Sequence, residues 1–327
     1  MLFVTNRRLE EGPRSRPGRR VRFDLSDSEP SPSLFFCERR DVEDYVELTS
    51  TPFFNRLRRG PRSQILFYLH GFNSQPETDI FPTALRLQDL LDGLTGARIE
   101  VVPLIWPCDD DFGLLKDYWD DQDAAEMSGF AFGRAIGKFL DWRDAPSEDP
   151  PCLKHVNVLA HSMGNRVLRF ALGKWSRDRG APPALFRNLF LMAADIANES
   201  LEPGEPGHAI TRAARNVLVY HADDDFALRT SKLANLRRKV VTRRLGHTGP
   251  ENPERTPRNV VAVDCDAVNN RYDPLGHTYF LDDGEGRPGL VLAHVAETLT
   301  TGRPAGFAPG QRSLRLAEEP SSLAAAA

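Results

Sequence analysis

The residues best suited to chemistry surround Ser162. An apolar run at residues 156–160 leads directly into His161-Ser162-Met163-Gly164, and an amphipathic pattern follows at once. A serine at a sharp turn between a buried strand and a helix presents its hydroxyl above the sheet edge as a nucleophile. Such a turn requires small residues two positions before and two after the serine, and Ala160 and Gly164 stand there. The pattern predicts that Ser162 is the nucleophile of an acyl-transfer reaction; the alternative is a buried serine that caps the following helix.

A second signal follows the apolar run at residues 65–69, which ends in His70-Gly71-Phe72. A His-Gly pair in this place marks a loop that contributes a backbone N–H to an oxyanion hole. We therefore predict that the N–H groups of Phe72 and Met163 stabilise the oxyanion. His70 and His161 are expected to pack beside the sheet and orient these loops, without taking part in the chemistry.

A serine nucleophile of this kind needs a base, and after such an elbow the chain order is serine, acid, histidine. We predict that His277 is the base, because it lies on the loop that follows the last predicted strand, residues 260–264. His247 is the alternative, and it precedes that strand. The histidines that follow the serine are His208, His221, His247, His277 and His294.

For the acid, we predict Asp225, which follows the strand at residues 217–221 with three residues between them. That spacing lets the loop turn the carboxylate inward, and residues 226–228 begin an apolar helical run that would anchor it. Asp224 and Asp195 are the alternatives. Neither this aspartate triplet nor the Asp264-Cys265-Asp266 segment has the regular ligand spacing of a metal site, so we predict no metal and no cofactor.

Aspartates are concentrated in residues 109–123, after the strand at 99–105. The loop after such a strand lies at the active-site edge of a parallel sheet. If these carboxylates border the pocket, neutral or cationic esters are favoured over anionic ones. The alternative is a solvated acidic face.

The elements that must position these residues alternate along the chain. Short β-rich runs are separated by amphipathic helical runs, which predicts an α/β fold with a mostly parallel central sheet and helices on both faces. Helices are predicted at about residues 83–94, 124–142, directly after Ser162, and 288–299. The predicted strands are 65–69, 99–105, 156–160, 189–193, 217–221 and 260–264.

Three regions are predicted from changes in composition. Residues 1–60 form an irregular N-terminal extension with short strands around Phe3 and Phe23, packed on the core. Residues 61–301 form the catalytic domain, and residues 302–327 form a disordered tail. The arginine-rich run between Arg7 and Arg22 is interpreted as a solvated loop, because no aromatic residues interleave with it as they would in a nucleic-acid-binding segment.

The overall composition is that of a globular protein. The chain has 327 residues, of which 40% are hydrophobic and 27% charged, and a formal net charge of -4, which argues against nucleic acid as a partner. The four cysteines are far apart and form no C-x-x-C pair. No signal-peptide pattern and no long apolar segment are present, so we predict a cytoplasmic protein without an integral membrane segment. The oligomeric state is left open.

Together these residues resemble the α/β-hydrolase superfamily, in its esterase- and lipase-like branch. More narrowly, the chain is similar to an uncharacterised bacterial family across roughly residues 1–300. Ala160 replaces the first glycine of the commoner G-x-S-x-G motif and keeps that position small. The shared motifs are T-N-R at residues 5–7, H-G-F at 70–72, W-P at 106–107, A-H-S-M-G-N at 160–165, D-x-A-L at 225–228 and G-H-x-Y-F at 276–280.

The resemblance implies the α/β-hydrolase fold and a Ser–Asp–His triad, and no particular substrate. The expected function is a serine hydrolase that cleaves small-molecule carboxylic esters or related acyl compounds, with Ser162, Asp225 and His277 as the triad. The alternatives are a catalytically silent protein that uses the fold for binding, and an acyltransferase with the same triad.

Overall fold

The computed structural model describes residues 1–108, 114–145, 151–225 and 243–317, with the backbone alone for 114–121. Within these ranges, eleven strands form one sheet in the order β11-β10-β9-β8-β7-β5-β6-β1-β3-β4-β2. The strands from β11 to β1 in that order are parallel, and β3, β4 and β2 continue the sheet antiparallel. The expected mostly parallel sheet is therefore confirmed. Its strands are β1 Leu2–Thr5, β2 Arg20–Val21, β3 Phe35–Asp41, β4 Asp44–Glu47, β5 Gln64–Leu69, β6 Ile99–Ile105, β7 His155–His161, β8 Phe186–Met192, β9 Ala214–His221, β10 Val260–Asp264 and β11 Ser313–Arg315.

Helices cover both faces of the sheet. Helices α1, α3, α4 and α5 contribute to one apolar core, and α2 and α8 contribute to the core on the other face. No helix in the described ranges is both long and apolar enough to cross a membrane. The helices are α1 Ser50–Arg59, α2 Phe81–Thr95, α3 Leu114–Asp144, α4 Gly164–Arg179, α5 His208–Ala213, α6 Leu245–Thr248, α7 Asn269–Tyr272 and α8 Leu290–Thr301, with a π-helical turn at Pro76–Ile80 and a 3-10 turn at Pro253–Arg255.

The six strands predicted from apolar runs are all present, with boundaries within three residues of those predicted. They form the middle of the sheet, where both faces are buried, and this is why their sequences are continuously apolar instead of alternating. Their carboxyl ends meet at one edge of the sheet. The loops after β5, β7, β9 and β10 carry the predicted site residues, so the topology gathers them there.

The N-terminal region is part of the sheet. Strand β1 pairs in parallel with β6, and the antiparallel strands β3, β4 and β2 extend the sheet beyond it. Several arginines of the basic run have acidic partners: Arg19 pairs with the buried Glu47 at 2.6 Å, and Arg22 pairs with Glu10 at 2.7 Å. These pairs neutralise part of the charge of the run. Its first arginine, Arg7, is fully buried and donates to the carbonyl of Cys108 at 3.2 Å, so the interpretation as a solvated loop does not hold for Arg7.

A disordered tail was predicted for residues 302–327, of which the structure describes 302–317. Residues 302–317 have a defined path, and β11 pairs with β10 at the sheet edge. The buried ring of His294 joins this path to the sheet: its Nε2–H donates to the carbonyl of Ala305 at 3.0 Å, and its Nδ1 accepts from the Tyr220 hydroxyl at 2.7 Å. These long-range contacts leave no trace in the local composition from which the tail was predicted.

Helices α3 and α4 pack closely because glycines of α3 face α4. A methyl group at Gly129 would clash with Cβ of Phe170 and lie 3.0 Å from the backbone N of Ala171, and one at Gly133 would lie 3.1 Å from the carbonyl oxygen of Ala171. In contrast, a methyl group at Gly93 on α2 would have no heavy atom within 4 Å. Close packing therefore requires glycine at these positions of α3, whereas the surroundings of Gly93 do not.

This contrast yields a stability prediction. Gly129→Ala should lower the free energy of unfolding by about 1–3 kcal/mol, because overpacking outweighs the better helix propensity of alanine. Gly93→Ala, the matched control, should raise the free energy of unfolding by up to about 1 kcal/mol. Urea unfolding of both variants measures the difference, and equal effects of the two substitutions would contradict the close packing of α3 on α4.

Candidate active site

Ser162 occupies a strained turn between β7 and α4. Its φ is +51°, a left-handed conformation that costs a non-glycine residue of order 1–3 kcal/mol. Backbone hydrogen bonds hold Ser162 in this conformation. Its N–H donates to the carbonyl of Met192 at 2.9 Å, and its carbonyl accepts from the N–H of Asp195 at 3.2 Å. The buried amide of Asn165 adds bonds to the carbonyls of Ala160 at 2.9 Å and Ser162 at 3.1 Å.

Glycine is required at position 164 because the helix starts against the end of β5. A Cβ at Gly164 would lie 2.6 Å from the carbonyl oxygen of His70 and 2.7 Å from that of Leu69. A Cβ at Gly71 would likewise lie 3.3 Å from Cβ of Ser162. The predicted oxyanion loop is therefore in direct contact with the serine turn.

The two predicted oxyanion donors lie on either side of this contact. Met163 is the N-cap residue of α4, so its N–H stands at the N-terminus of a helix, where negative charge is favoured. Phe72 follows Gly71 and lines the same cleft as Ser162. The structure thus brings both residues to the serine.

His70 orients the oxyanion loop. Its Nδ1–H donates to the carbonyl of Gly71 at 2.8 Å, and its Nε2 accepts the backbone N–H of Trp106 at 3.2 Å. The indole of Trp106 stacks on the imidazole, with 5.0 Å between the ring centroids, and the indole N–H donates to the carbonyl of His70 at 3.1 Å. Burial lowers the pKa of His70 to about 3, so the ring is neutral and keeps one donor and one acceptor.

His277 and Asp225 form a hydrogen-bonded pair, with Nδ1 of the imidazole 2.7 Å from Oδ2 of the carboxylate. The side chain of Asp225 is fully buried, and that of His277 is 12% exposed. Asp225 lies just beyond β9 and His277 on the loop after α7, so the two are brought together across the ends of β9 and β10. Such a pair fixes the imidazole tautomer that has its proton on Nδ1 and its lone pair on Nε2.

The loop that carries His277 is held by side chains of its own neighbourhood. Oδ2 of Asp273 accepts the N–H groups of His277 at 2.8 Å and Thr278 at 2.7 Å. Burial opposes the charge on Asp273, but these bonds outweigh it and lower the pKa of the carboxyl. Gly276 takes a φ of +67°, and a Cβ there would lie 2.5 Å from Oδ1 of Asn270.

Asp224, one of the alternative acids, binds side chains of the segment that precedes His277. Its carboxylate accepts the side-chain amides of Asn269, at 2.5 Å, and of Asn270. The amide of Asn269 also donates to the carbonyl of Gly276 at 3.3 Å. Asp224 therefore positions the segment before His277, while the neighbouring Asp225 contacts the imidazole.

His161, which directly precedes Ser162, packs against the same loop. Its Nε2–H donates to the carbonyl of His277 at 3.2 Å. The centroid of its ring lies 4.8 Å from the ring centroid of His277 and 4.9 Å from that of Phe280. Burial, and next the nearby His277, lower the pKa of His161 well below its usual value. A neutral His161 adds no positive charge beside His277.

Asp195, the other alternative acid, belongs to a buried ion-paired cluster. Its carboxylate contacts Nε of Arg244 at 3.0 Å and Nε of Arg166 at 3.4 Å, and its side chain is 2% exposed. Burial, and next the charge of Arg166, lower the pKa of the adjacent Arg169 to about 10. Asp195 therefore balances buried arginines behind the serine turn.

The alternative base, His247, lies on α6, which packs at the ends of β8 and β9. The N–H of Gly246 on this helix donates to the carbonyl of Ala194 at 2.9 Å, and the carbonyl of Gly246 accepts from the N–H of Ala222 at 3.0 Å. Ser162 and His277, in contrast, line one cleft of about 350 Å³ together with Tyr68, Gly71 and Phe72. That cleft lies at the carboxyl edge of the sheet, as predicted from the topology.

Some predicted features lie outside the described residues. These are the apolar run at 226–228 and the side chains of the acidic segment from 109 to 121. Among the described residues, no group of three or more His, Cys, Asp or Glu side chains is arranged to hold a metal ion.

The sequence reasoning missed Asp273 and Asn165 as site residues. Asp273 had a usable signal, because an aspartate followed by Pro-Leu-Gly is typical of a turn in which the carboxylate accepts nearby backbone N–H groups. Asn165 belongs to the shared motif at 160–165, but the motif did not reveal its role, since its three acceptors, the carbonyls of Ala160, Ser162 and Met192, converge only in the folded chain.

Comparison with models of protein families found one that matches residues 47–293, described as "Alpha/beta hydrolase of unknown function (DUF900)". Searches of curated proteins and of solved structures found no match.

The ion-paired cluster at Asp195 gives a prediction about stability. Asp195→Asn should lower the free energy of unfolding by about 3–5 kcal/mol, because the buried Arg166 and Arg244 lose the carboxylate that both of them contact. Asp178→Asn is the control: it breaks the exposed pair with Lys174 and should change stability by less than about 0.5 kcal/mol. Chemical denaturation of both variants provides the comparison, and a loss below about 1 kcal/mol for Asp195→Asn would rule out this role.

Proposed function

The chain belongs to the family of α/β hydrolases of unknown function that matches it over residues 47–293, and from this premise we propose that it is a serine hydrolase. Its substrates are carboxylic esters or related small-molecule acyl compounds. Ser162 is the nucleophile, His277 the general base and Asp225 the acid, and the N–H groups of Phe72 and Met163 form the oxyanion hole. A cytoplasmic location stays a prediction of the sequence.

The observation that carries the proposal is the 2.7 Å contact between Nδ1 of His277 and the fully buried carboxylate of Asp225, at a cleft that Ser162 also lines. Ser162, Asp225 and His277 come from three separate loops and follow one another in the chain order serine, acid, histidine, which supports the proposed triad. The left-handed φ of Ser162 supports the same conclusion, because strain of this kind concentrates at functional sites.

In the proposed reaction, Oγ of Ser162 attacks the substrate carbonyl carbon while Nε2 of His277 takes the hydroxyl proton. The carbonyl oxygen becomes an oxyanion, which accepts hydrogen bonds from the N–H groups of Phe72 and Met163. When the tetrahedral intermediate collapses, the bond to the alcohol breaks and His277 returns the proton to the leaving oxygen. Water then attacks the acyl-enzyme with the same proton transfers, releasing the carboxylic acid and restoring Ser162.

The surroundings of His277 suit this cycle. Asp225 stabilises the imidazolium that forms after proton transfer, and it does so without becoming protonated. The neighbouring imidazoles of His161 and His70 have lowered pKa values because they are buried. They therefore place no positive charge near the imidazolium, which would oppose its formation.

One prediction from the proposed function concerns the nucleophile. A fluorophosphonate probe should label the wild-type protein at Ser162 alone, because this serine has an adjacent base and an oxyanion hole. Ser162→Ala should abolish labelling, which peptide mass spectrometry can locate. Labelling of Ser162→Ala at the wild-type level would contradict the assignment. A folded wild-type protein that is never labelled would favour the alternative of a silent binding protein.

Another prediction from the proposed function separates the two candidate bases, His277 and His247. His277→Ala should lower kcat for a reactive aryl ester by at least about a thousandfold, and Asp225→Asn by a smaller but large factor, as for other triads. His247→Ala should leave kcat nearly unchanged. Circular dichroism would establish that each variant is folded. The assignment has to be reversed if His247→Ala is as damaging as His277→Ala.

A further inference from the structure

The wall of the cleft formed by the loop after β5 contains a π-helical turn, Pro76–Ile80. The carbonyl of Gln75 accepts two backbone N–H groups, from Asp79 at 3.1 Å and from Ile80 at 3.0 Å. Single π-helical turns are rare and occur often at functional sites. This turn brings Thr78 and Asp79 into the lining of the cleft that contains Ser162 and His277.

The carboxylate of Asp79 is only partly used by the turn. Its Oδ2 accepts the N–H of Gln75 at 2.9 Å and the hydroxyl of Thr78 at 2.6 Å. Its Oδ1 has no hydrogen bond to another described residue, and the side chain is exposed. The turn thus fixes the carboxylate in place and leaves one oxygen available to a ligand.

Asp79 also sets the charge of the cleft. Among the described residues that line it, Asp79 is the one acidic or basic group besides the histidines; most of the others that are polar carry hydroxyl or amide groups, as in Asn73, Ser74, Thr78, Thr83 and Thr278. The net charge presented by these described residues is therefore negative when the histidines are neutral. A negative, partly enclosed cleft attracts cations and disfavours anions.

Aromatic side chains line the same cleft, since Tyr68 and Phe72 are part of its wall. Burial, and next the charge of Asp79, raise the pKa of the Tyr68 hydroxyl, so Tyr68 is uncharged and close to the carboxylate. A carboxylate beside aromatic rings is the combination that recognises aliphatic ammonium groups, by charge attraction and cation–π contact.

We propose that Asp79 makes this cleft selective for substrates that carry an aliphatic ammonium group. The proposal deepens the ester-hydrolase function and rests on it for the identity of the bond cleaved. A cleft of about 350 Å³ is at the lower end of the range for small-molecule sites, which suits a compact ammonium ester. From the acidic segment at 109–123, the sequence predicted only that neutral or cationic esters are favoured over anionic ones; Asp79 is a negative charge at the cleft among residues that the structure describes.

Binding tests the proposal without any need for turnover. Choline and 3,3-dimethylbutan-1-ol have the same shape and differ by a quaternary nitrogen in place of carbon. Calorimetry with Ser162→Ala should give choline the lower Kd by about threefold to tenfold at low ionic strength, and the preference should shrink as salt is added. Equal affinities, or no measurable binding of choline, would overturn the proposal.

Variants that replace an aspartate with the neutral asparagine identify the residue that causes the preference for choline. Asp79→Asn, which keeps an acceptor for Gln75 and Thr78, should remove the preference for choline. Asp89→Asn makes the same charge change on an exposed position of α2 that does not line the cleft, and should retain it. Loss of the preference in both variants, or in neither, would assign the selectivity elsewhere and refute the role of Asp79.

Turnover separates this proposal from the function on which it rests. The wild type should hydrolyse acetylcholine with a kcat/KM about threefold to tenfold above that of 3,3-dimethylbutyl acetate, and Asp79→Asn should bring the ratio near one. Hydrolysis of both esters without preference would refute the role of Asp79 and leave the hydrolase intact. Selective choline binding without hydrolysis of either ester would refute the hydrolase and leave the ammonium site intact.

Discussion

The contact of Gly164 with the carbonyls at the end of β5 is the constraint on which the site depends. A Cβ at position 164 would lie only 2.6 Å and 2.7 Å from these two carbonyl oxygens, so glycine is what lets α4 start directly beside the predicted oxyanion loop. Ser162 must then take a left-handed conformation to connect β7 to that helix. The same approach brings Gly71 against Ser162, so one steric condition places the nucleophile and both proposed oxyanion donors together.

The proposed base is positioned by polar contacts, in contrast to the nucleophile. The loop with His277 contains few regular hydrogen bonds, and side chains replace them: Asp273 binds its backbone N–H groups, Asp224 binds the preceding asparagines, and His161 binds the carbonyl of His277 itself. Since His161 directly precedes the nucleophile, its bond joins the two halves of the proposed triad. These partly exposed hydrogen bonds hold the backbone of the loop in the position that places the imidazole beside Asp225.

Acidic residues near the site have separate physical tasks that are set by their surroundings. Asp225 is buried against an imidazole and supports proton transfer in the proposed mechanism, while Asp195 is buried against arginines and balances charge behind the serine turn. Asp79 is exposed and lines the cleft, where its charge is proposed to act on a ligand. A carboxylate gains its role from what it is buried with, so residue type alone does not assign it.

The sequence by itself determined the central strands and the strand–turn–helix around Ser162, because continuous apolar runs and a small-x-Ser-x-small turn are local patterns. It also favoured Asp225 and His277, through their positions after β9 and β10. Only the tertiary structure decided which aspartate contacts the imidazole, that Asp224 and Asp195 bind amides and arginines, and that residues 302–317 return to the sheet. Those outcomes depend on contacts between residues far apart in the chain, and the distance between two side chains is set by how strands pair and helices pack, which no local pattern records.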